Sequence, residues 1–259
     1  MDMICAQDKE NAGYERLLLE RDALRKEAAG CKTLYLRKFG ALITKLYRKK
    51  IDCIAKKKSI AYCQADVNHG RPVDAAGLQQ FLAGEMEEYR RGLDRILVEC
   101  DASAKAGFVT EYTAAQVKSL YHRLARQIHP DLNPTLAGRP EFAELWARIT
   151  QAYEGNDLSE LQELEVLVHR ALVQVQAGAA PLHIPDLAAR KARLRSEMEQ
   201  IRSTDPYQYK FLLADDDAVA AKKQELQQEY DSFDAYGRQL DAVLQGLLLK
   251  GVVVPWQEN

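Results

Sequence analysis

The chain has 259 residues, 47% of them hydrophobic, so it can bury a real core and is not disordered by composition. Its 36 Lys and Arg residues stand against 38 Asp and Glu residues, and a net charge of -2 gives no reason to expect a protein that coats nucleic acid or a membrane. The five cysteines are scattered, which is typical of reduced cytosolic thiols and does not match a zinc site.

The first residues lack the basic start and apolar stretch of a signal peptide. The longest late apolar run, residues 244–256, is short and is interrupted by Lys250. We therefore expect a cytoplasmic protein with no membrane span.

Helical periodicity runs through nearly the whole chain, whereas alternating strand patterns are hard to find. We therefore predict an all-α fold. The pattern predicts a long helix over residues 9–62, with Gly30 as a candidate interruption, and a second over 74–106, with a turn at 68–72 between them. Two long helices joined by a turn predict an antiparallel hairpin, of the coiled-coil or bundle kind.

The organisation predicts three consecutive regions: a helical hairpin over 1–108, a compact middle domain over 109–156 and a helical region over 157–259. Prolines divide the last region, because proline lacks the amide proton and restricts the residue before it. The breaks fall at Pro181, Pro185 and Pro206, and the helices predicted around them cover 157–176, 187–203 and 218–249.

The middle domain opens with an amphipathic helix. Thr113 is its candidate N-cap, with Gln116 as the reciprocal half of a capping box. Apolar residues at helical spacing lie on one face: Val117, Leu120, Tyr121, Leu124 and Ile128. The basic side chains Lys118, His122, Arg123 and Arg126 lie on the other faces. The helix is therefore predicted to be apolar inside and basic outside.

This helix stops at His129-Pro130-Asp131, because a proline disfavours the α conformation of its predecessor. A second helix follows with a matching apolar stripe, made of Phe142, Leu145, Trp146, Ile149 and Tyr153. The two stripes predict an antiparallel hairpin that buries Trp146 and leaves the loop at 130–140 projecting and exposed.

The segments VKSLYHRLARQIHPDLNP (117–134) and FAELWARITQAYE (142–154) resemble the J domain of DnaJ-type co-chaperones. The His-Pro-Asp tripeptide stands where the family has it, after a basic amphipathic helix that carries the pattern Tyr-x-x-Leu-Ala. The tripeptide occurs by chance in about 1% of chains of this length, so its combination with both helices is a specific signal, although it covers a small part of the chain.

The resemblance implies a function that periodicity does not. In the family, the basic helix docks on an acidic face of a DnaK-type chaperone, and the His-Pro-Asp loop triggers ATP hydrolysis by that partner. The residues carried over are His129, Pro130 and Asp131 as the trigger, with Lys118, Arg123 and Arg126 as docking charges. The resemblance thus implies a co-chaperone that is not itself an enzyme, and whose helical flanks bind an unknown client.

The chain also departs from the family. The short opening helix of a J domain, with its Tyr and Leu-Gly pattern, is not visible in AKAGFVTEYTAAQ (104–116). Part of its packing role must fall to another segment, with the end of the preceding helix as a candidate. The final helix is acidic instead of basic, and neither a Gly-Phe-rich linker nor a cysteine-rich zinc domain is present.

The stretch 32–58 supports an alternative function, because it holds ten Lys or Arg residues against one acid and interleaves Tyr35, Phe39 and Tyr47. That composition suits nucleic acid or another acidic partner. Since the aromatic residues fall on the apolar stripe, a basic-faced bundle helix is the favoured interpretation and nucleic-acid binding is not expected. A further alternative is a helical scaffold in which the J-like hairpin is purely structural.

Motifs of enzymes and of bound groups are missing from the sequence. Paired carboxylates, a Ser/His/Asp order, a phosphate-binding glycine loop and metal-ligand spacing all lack a convincing context. We therefore predict no catalytic residue, cofactor or metal.

Overall fold

The computed structural model describes residues 2–105, 107, 109–175 and 186–250. This part of the chain contains helices and no strand, which confirms the all-α prediction. None of its helices combines the length and hydropathy that a bilayer crossing requires. In chain order the helices are α1 (Asp2–Asn68), α2 (Ala75–Glu85), α3 (Glu87–Lys105), α4 (Glu111–Ile128), α5 (Pro134–Ala137), α6 (Pro140–Glu154), α7 (Leu158–Val175), α8 (Leu187–Ser203), α9 (Tyr209–Leu213) and α10 (Asp216–Lys250).

The helices form two compact units, each built from two separate stretches of sequence. Unit 1 comprises Met1–Lys32 and Gly107–Lys210, and unit 2 comprises Thr33–Ala106 and Phe211–Asn259. Helix α1 contributes to both. The division differs from the three consecutive regions predicted above, because helices that are distant in sequence share cores. The predicted breaks at Pro181 and Pro185 lie outside the described residues.

In unit 2, the second half of α1 runs antiparallel to the α2–α3 segment, as the sequence predicted. Gly40 of α1 lies beside Cys100, and further along α1 the ring of Tyr62 lies 5.4 Å from that of Phe81. A Cβ atom at position 40 would stand 2.8 Å from the Cys100 Sγ, so a larger residue would force the Cys100 side chain to move.

Helix α10 completes unit 2 and runs parallel to α1. Lys49 pairs with Asp234 at 2.7 Å, and Lys56 pairs with Asp241 at 2.8 Å. The second pair lies seven residues after the first on both helices, so the helices run in the same direction. Phe39, Leu46, Val219 and Leu226 form the buried core between the two helices.

In unit 1, α4, α6 and α7 enclose the main core. The predicted stripe of α4 lies fully inside it, and the buried residues from the other two helices are Phe142, Ile149, Ala152, Tyr153, Leu161, Leu164 and Val168. The predicted α4–α6 pairing is therefore present. Trp146, expected to be buried, is only partly buried and packs at the edge of this core.

Helix α4 begins earlier than predicted. The Thr110 hydroxyl accepts a hydrogen bond from the backbone N–H of Thr113 at 3.1 Å, so Thr110 is the N-cap and the prediction of Thr113 was wrong. Gln116, the expected capping-box partner, instead donates to the Tyr112 hydroxyl at 3.0 Å. Glu111 places a negative charge in the first turn, where the helix dipole favours it.

A buried carboxylate joins the start of α1 to α4. Asp22 is 8% exposed and accepts a hydrogen bond from the Tyr121 hydroxyl at 2.7 Å, across a separation of 99 residues. Its other oxygen accepts two hydrogen bonds from Arg21, at 2.7 and 2.9 Å. A buried charge is tolerated only when it is paired and hydrogen-bonded, so this group fixes how α1 packs on α4.

We predict that Tyr121→Phe lowers the free energy of unfolding by about 1–3 kcal/mol, because it leaves a buried carboxylate oxygen without its donor. Urea denaturation monitored by circular dichroism measures the change. Tyr112→Phe is the matched control, since Tyr112 is 72% exposed, and it should be nearly neutral. Equal stability of the two variants would contradict the structural role of the Tyr121–Asp22 bond.

Candidate functional site

The His-Pro-Asp corner is built by the end of α4. The backbone N–H of His129 still donates to the Ala125 carbonyl at 2.9 Å, but the ψ angle of 129° takes His129 out of the helix before Pro130. The His129 carbonyl then accepts hydrogen bonds from the backbone N–H groups of Leu132 and Asn133, at 3.0 and 2.8 Å. The loop is therefore closed back on the helix end as a tight turn.

The His129 ring braces this turn from inside. Its Nδ1 accepts a hydrogen bond from the backbone N–H of Asp131 at 3.0 Å, and the ring meets Trp146 edge-on with 4.6 Å between ring centroids. His129 is only 3% exposed, and within the loop predicted to be exposed Leu132 and Leu136 are buried as well. Pro130 and Asp131 are partly exposed. The imidazole thus supports the corner, and Pro130 and Asp131 form its accessible part.

Burial lowers the pKa of His129, and Arg21 adds to the lowering, although Asp22 and Asp131 oppose it. A ring kept neutral can accept the hydrogen bond from the Asp131 backbone, whereas a protonated Nδ1 cannot. The protonation state of His129 is therefore coupled to the geometry of the corner.

The Asp131 carboxylate lies in the field of Arg21. Burial lowers the pKa of Arg21, but Asp22, Glu197 and Asp131 together raise it above its ordinary value. Arg21 therefore stays charged within a cluster of acids contributed by α1, α8 and the corner. Asp131 makes the smallest of the three acidic contributions to the field at this cation.

The three predicted docking charges are all exposed on α4, but they are not equally free. Arg123 forms an ion pair with Glu165 of α7, and Arg126 forms one with Glu15 of α1, each at 2.6 Å. Lys118 has no ion-pair partner among the described residues. It is therefore the most available of the three cations.

A groove of about 450 Å³ separates this basic face from α1. Lys118, His122 and Arg126 line one wall, and Glu15 and Glu20 are among the residues of the other. The Nε2 atom of His122 is buried without a hydrogen-bond partner, and burial, with Lys118 and Arg126, lowers the pKa of its ring. His122 thus packs as a neutral side chain and adds no charge to the face.

Sequence reasoning missed the contributions of α1 and α8 to this site. Tyr14, Leu17 and Leu18 of α1 pack with Leu132, the residue after Asp131, and two residues of α8, Leu194 and Met198, complete this second cluster. No periodicity within the middle segment could reveal these partners. The one available signal was the Tyr-x-x-Leu-Leu pattern at residues 14–18.

The basic stretch 32–58 lies in α1, and much of its charge is paired within unit 2. Phe39 is fully buried and Tyr35 is partly buried in the core shared with α10. Lys49, Lys50, Lys56 and Lys58 pair with Asp234, Glu229, Asp241 and Glu85. These contacts favour the interpretation as a basic-faced bundle helix over that of a nucleic-acid surface.

The part of the chain that the structure describes holds no cluster of three or more His, Cys, Asp or Glu side chains arranged to bind a metal ion. Cys31, Cys53, Cys63 and Cys100 are free thiols. Comparison of the chain with known protein families, with curated proteins and with solved structures finds no match. The residues themselves therefore carry the functional argument.

The lowered pKa of His129 predicts a pH dependence of stability. The folded protein binds fewer protons than the unfolded one between the lowered pKa and the ordinary value of 6.5, so the free energy of unfolding should fall as the pH drops through that window. His129→Gln should show a shallower fall than the wild type. Urea unfolding at about pH 7.5 and about pH 5.5 measures this difference.

His169→Gln serves as the control, because His169 is an exposed residue of α7. It should keep the pH dependence of the wild type. A His129→Gln protein whose stability changes with pH as steeply as that of the wild type would show that burial of His129 does not affect its titration.

Proposed function

We propose that this protein is a J-domain-type co-chaperone that binds a DnaK-type chaperone in the cytoplasm and stimulates its ATP hydrolysis. The observation that carries the proposal is the corner itself. The basic helix α4 ends in a His-Pro-Asp turn whose Asp131 backbone is held by His129, and whose Asp131 side chain is partly exposed. A carboxylate on a braced loop can make a charge-assisted contact with a cation of a partner.

The packing of α1 adds support. The resembled family opens with a helix that carries a Tyr and a Leu-Gly pattern, and in this chain Tyr14, Leu17 and Leu18 pack beside the corner. They belong to the start of α1, and not to the end of α3, where the sequence suggested looking. In this proposal the first piece of unit 2, Thr33–Ala106, is an insertion between the opening helix and α4, and unit 2 serves as the arm that binds a client.

Each site residue has a distinct role in this proposal. Asp131 contacts the chaperone, Pro130 fixes the direction of the loop, and His129 holds the turn from inside. Lys118 steers the encounter, because it is exposed and has no internal ion-pair partner among the described residues. Arg123 and Arg126 contribute after exchanging Glu165 and Glu15 for acids of the chaperone. A contact built in this way is transient and sensitive to salt.

We predict that Asp131→Asn abolishes stimulation of the ATPase of the cognate DnaK-type chaperone, because it removes the one charge of the accessible corner. Its fold should persist, since Asp131 is partly exposed and Asn keeps the shape of the side chain. Steady-state ATP hydrolysis measures the activity, and circular dichroism monitors the fold. Asp101→Asn makes the same change at an exposed site of unit 2 and should stimulate like the wild type.

An Asp131→Asn protein that stimulates as well as the wild type would refute this role for the corner. It would leave the J-like hairpin as a structural element of a helical scaffold. The His129→Gln variant separates a contact role from a structural role less sharply, because the buried ring also supports the turn.

We predict that Lys118→Glu slows association with the chaperone by roughly threefold to tenfold at low salt, because charge steering acts on encounter rates. The difference should shrink as salt rises, since screening acts beyond about 10 Å at 0.1 M. Stopped-flow binding at several salt concentrations measures it. Reversing Arg123 or Arg126 instead would also break an internal ion pair, so Lys118 gives the cleaner test.

Lys38→Glu is the matched control, because Lys38 is an exposed lysine of unit 2 and the substitution changes the net charge equally. It should associate at the wild-type rate. Equal rates for the two variants at low salt would mean that this face of α4 is solvated surface and does not steer binding.

A further inference from the structure

Helix α8 shares a buried apolar cluster with the loop that carries the His-Pro-Asp corner. Leu132, the residue after Asp131, is 5% exposed and belongs to one cluster with Leu194 and Met198 of α8. Leu194 is fully buried and Met198 is 4% exposed, and they stand four residues apart on the inner face of the helix. Leu132, next to the corner, is thus shielded from water by a cluster to which α1 and the distant helix α8 both contribute.

Ion pairs between α8 and α1 also hold α8 beside the loop. Glu197, between the two buried residues, forms an ion pair with Arg25 and approaches Arg21 at 4.0 Å. Arg21 is the residue whose charge the corner's Asp131 also stabilises. The acid of α8 and the acid of the corner therefore share one buried cation of α1.

The buried residues of α8 belong to a different cluster from those that hold α4 and α6 together. The buried residues of α4, α6 and α7 form one cluster, whereas Leu194 and Met198 belong to a second cluster with Leu132 and the start of α1. Departure of α8 would open the second cluster and leave the first one intact. We therefore expect α4 and α6 to stay folded when α8 leaves.

We propose that α8 is an internal cover of the His-Pro-Asp corner: it keeps Leu132 buried, leaves Pro130 and Asp131 only partly exposed, and so limits how fully the chaperone can engage the loop until α8 leaves. This inference rests on the function proposed above. In this arrangement α8, a segment of the same chain, occupies the surface of the loop and competes with the chaperone for it. The apparent affinity for the chaperone is then reduced by the fraction of molecules in which α8 is in place.

The test weakens the cover without changing the corner. Leu194→Asp places a charge on the buried face of α8, and Ala192→Asp places the same charge at an exposed position of the same helix. Glu197→Gln is a milder second variant, with Glu199→Gln as its exposed counterpart. Each pair changes the net charge equally.

The activity readout is stimulation of the chaperone ATPase at a subsaturating concentration of each full-length variant. Leu194→Asp and Glu197→Gln should stimulate at least about threefold more than the wild type, because a larger fraction is open. The two control variants should match the wild type. Asp131→Asn combined with Leu194→Asp should abolish the gain, and a peptide of residues 187–203 added in trans should reverse it.

Hydrogen exchange supplies a readout that does not depend on the chaperone. The backbone N–H groups of Leu132 and Asn133, which bond to the His129 carbonyl, should exchange faster in Leu194→Asp than in Ala192→Asp. The amides of Leu124 and Ile149 in the first cluster should be unchanged. Equal loop exchange in the two variants would overturn the cover, as would faster exchange of the whole hairpin.

The outcomes separate this inference from the proposed function. If the wild type stimulates and neither Leu194→Asp nor Glu197→Gln exceeds it, the cover is refuted and the co-chaperone function stands. If no variant stimulates although the loop amides of Leu194→Asp exchange faster, the co-chaperone function is refuted and the inference falls with it. Extra stimulation that survives Asp131→Asn would also overturn the cover, because the gain would not act through the corner.

Discussion

The Asp22 carboxylate is the constraint on which unit 1 depends. A negative charge at 8% exposure is stable only if donors surround it, and here the Tyr121 hydroxyl and the Arg21 guanidinium supply them. Tyr121 belongs to α4, so satisfying the carboxylate sets the position of α1 against the helix that ends in the corner. The same arginine then carries the charge that Asp131 and Glu197 share. Arg21 thus links α1, the corner and α8.

Local patterns in the sequence predicted the elements that depend on local chemistry. The apolar stripe of α4 is buried as expected, since helical spacing places its residues on one face. The end of the helix at His129 follows from Pro130 in the same way, because that restriction acts between neighbours. The cap of α4 was misplaced from Thr110 to Thr113 because both residues can cap a helix, and only the hydrogen-bond geometry distinguishes them.

Long-range packing could not be predicted, and it decides the character of the site. The His129 ring is buried beside Trp146 of α6, and Leu132 packs with the start of α1 and with α8; a single turn carries no trace of these partners. Helix α1 likewise continues through Gly30, because one glycine costs only about 1 kcal/mol in a long helix whose inner face is packed. The charges of α4 were read correctly as exposed, but the partners of Arg123 and Arg126 lie on other helices and were invisible.

The discontinuity of unit 1 has a consequence for biosynthesis. Its first piece ends at Lys32 and its second begins at Gly107, so the ribosome must complete the intervening unit 2 residues before α4 emerges. Until then Tyr14, Leu18 and Leu19 of the nascent chain have no partners for their apolar surface, and Asp22 waits for a hydroxyl 99 residues downstream. At translation speeds of about 5–20 residues per second this exposure lasts for several seconds or more. During that time the start of α1 displays an apolar surface to the cellular machinery that protects unfinished proteins.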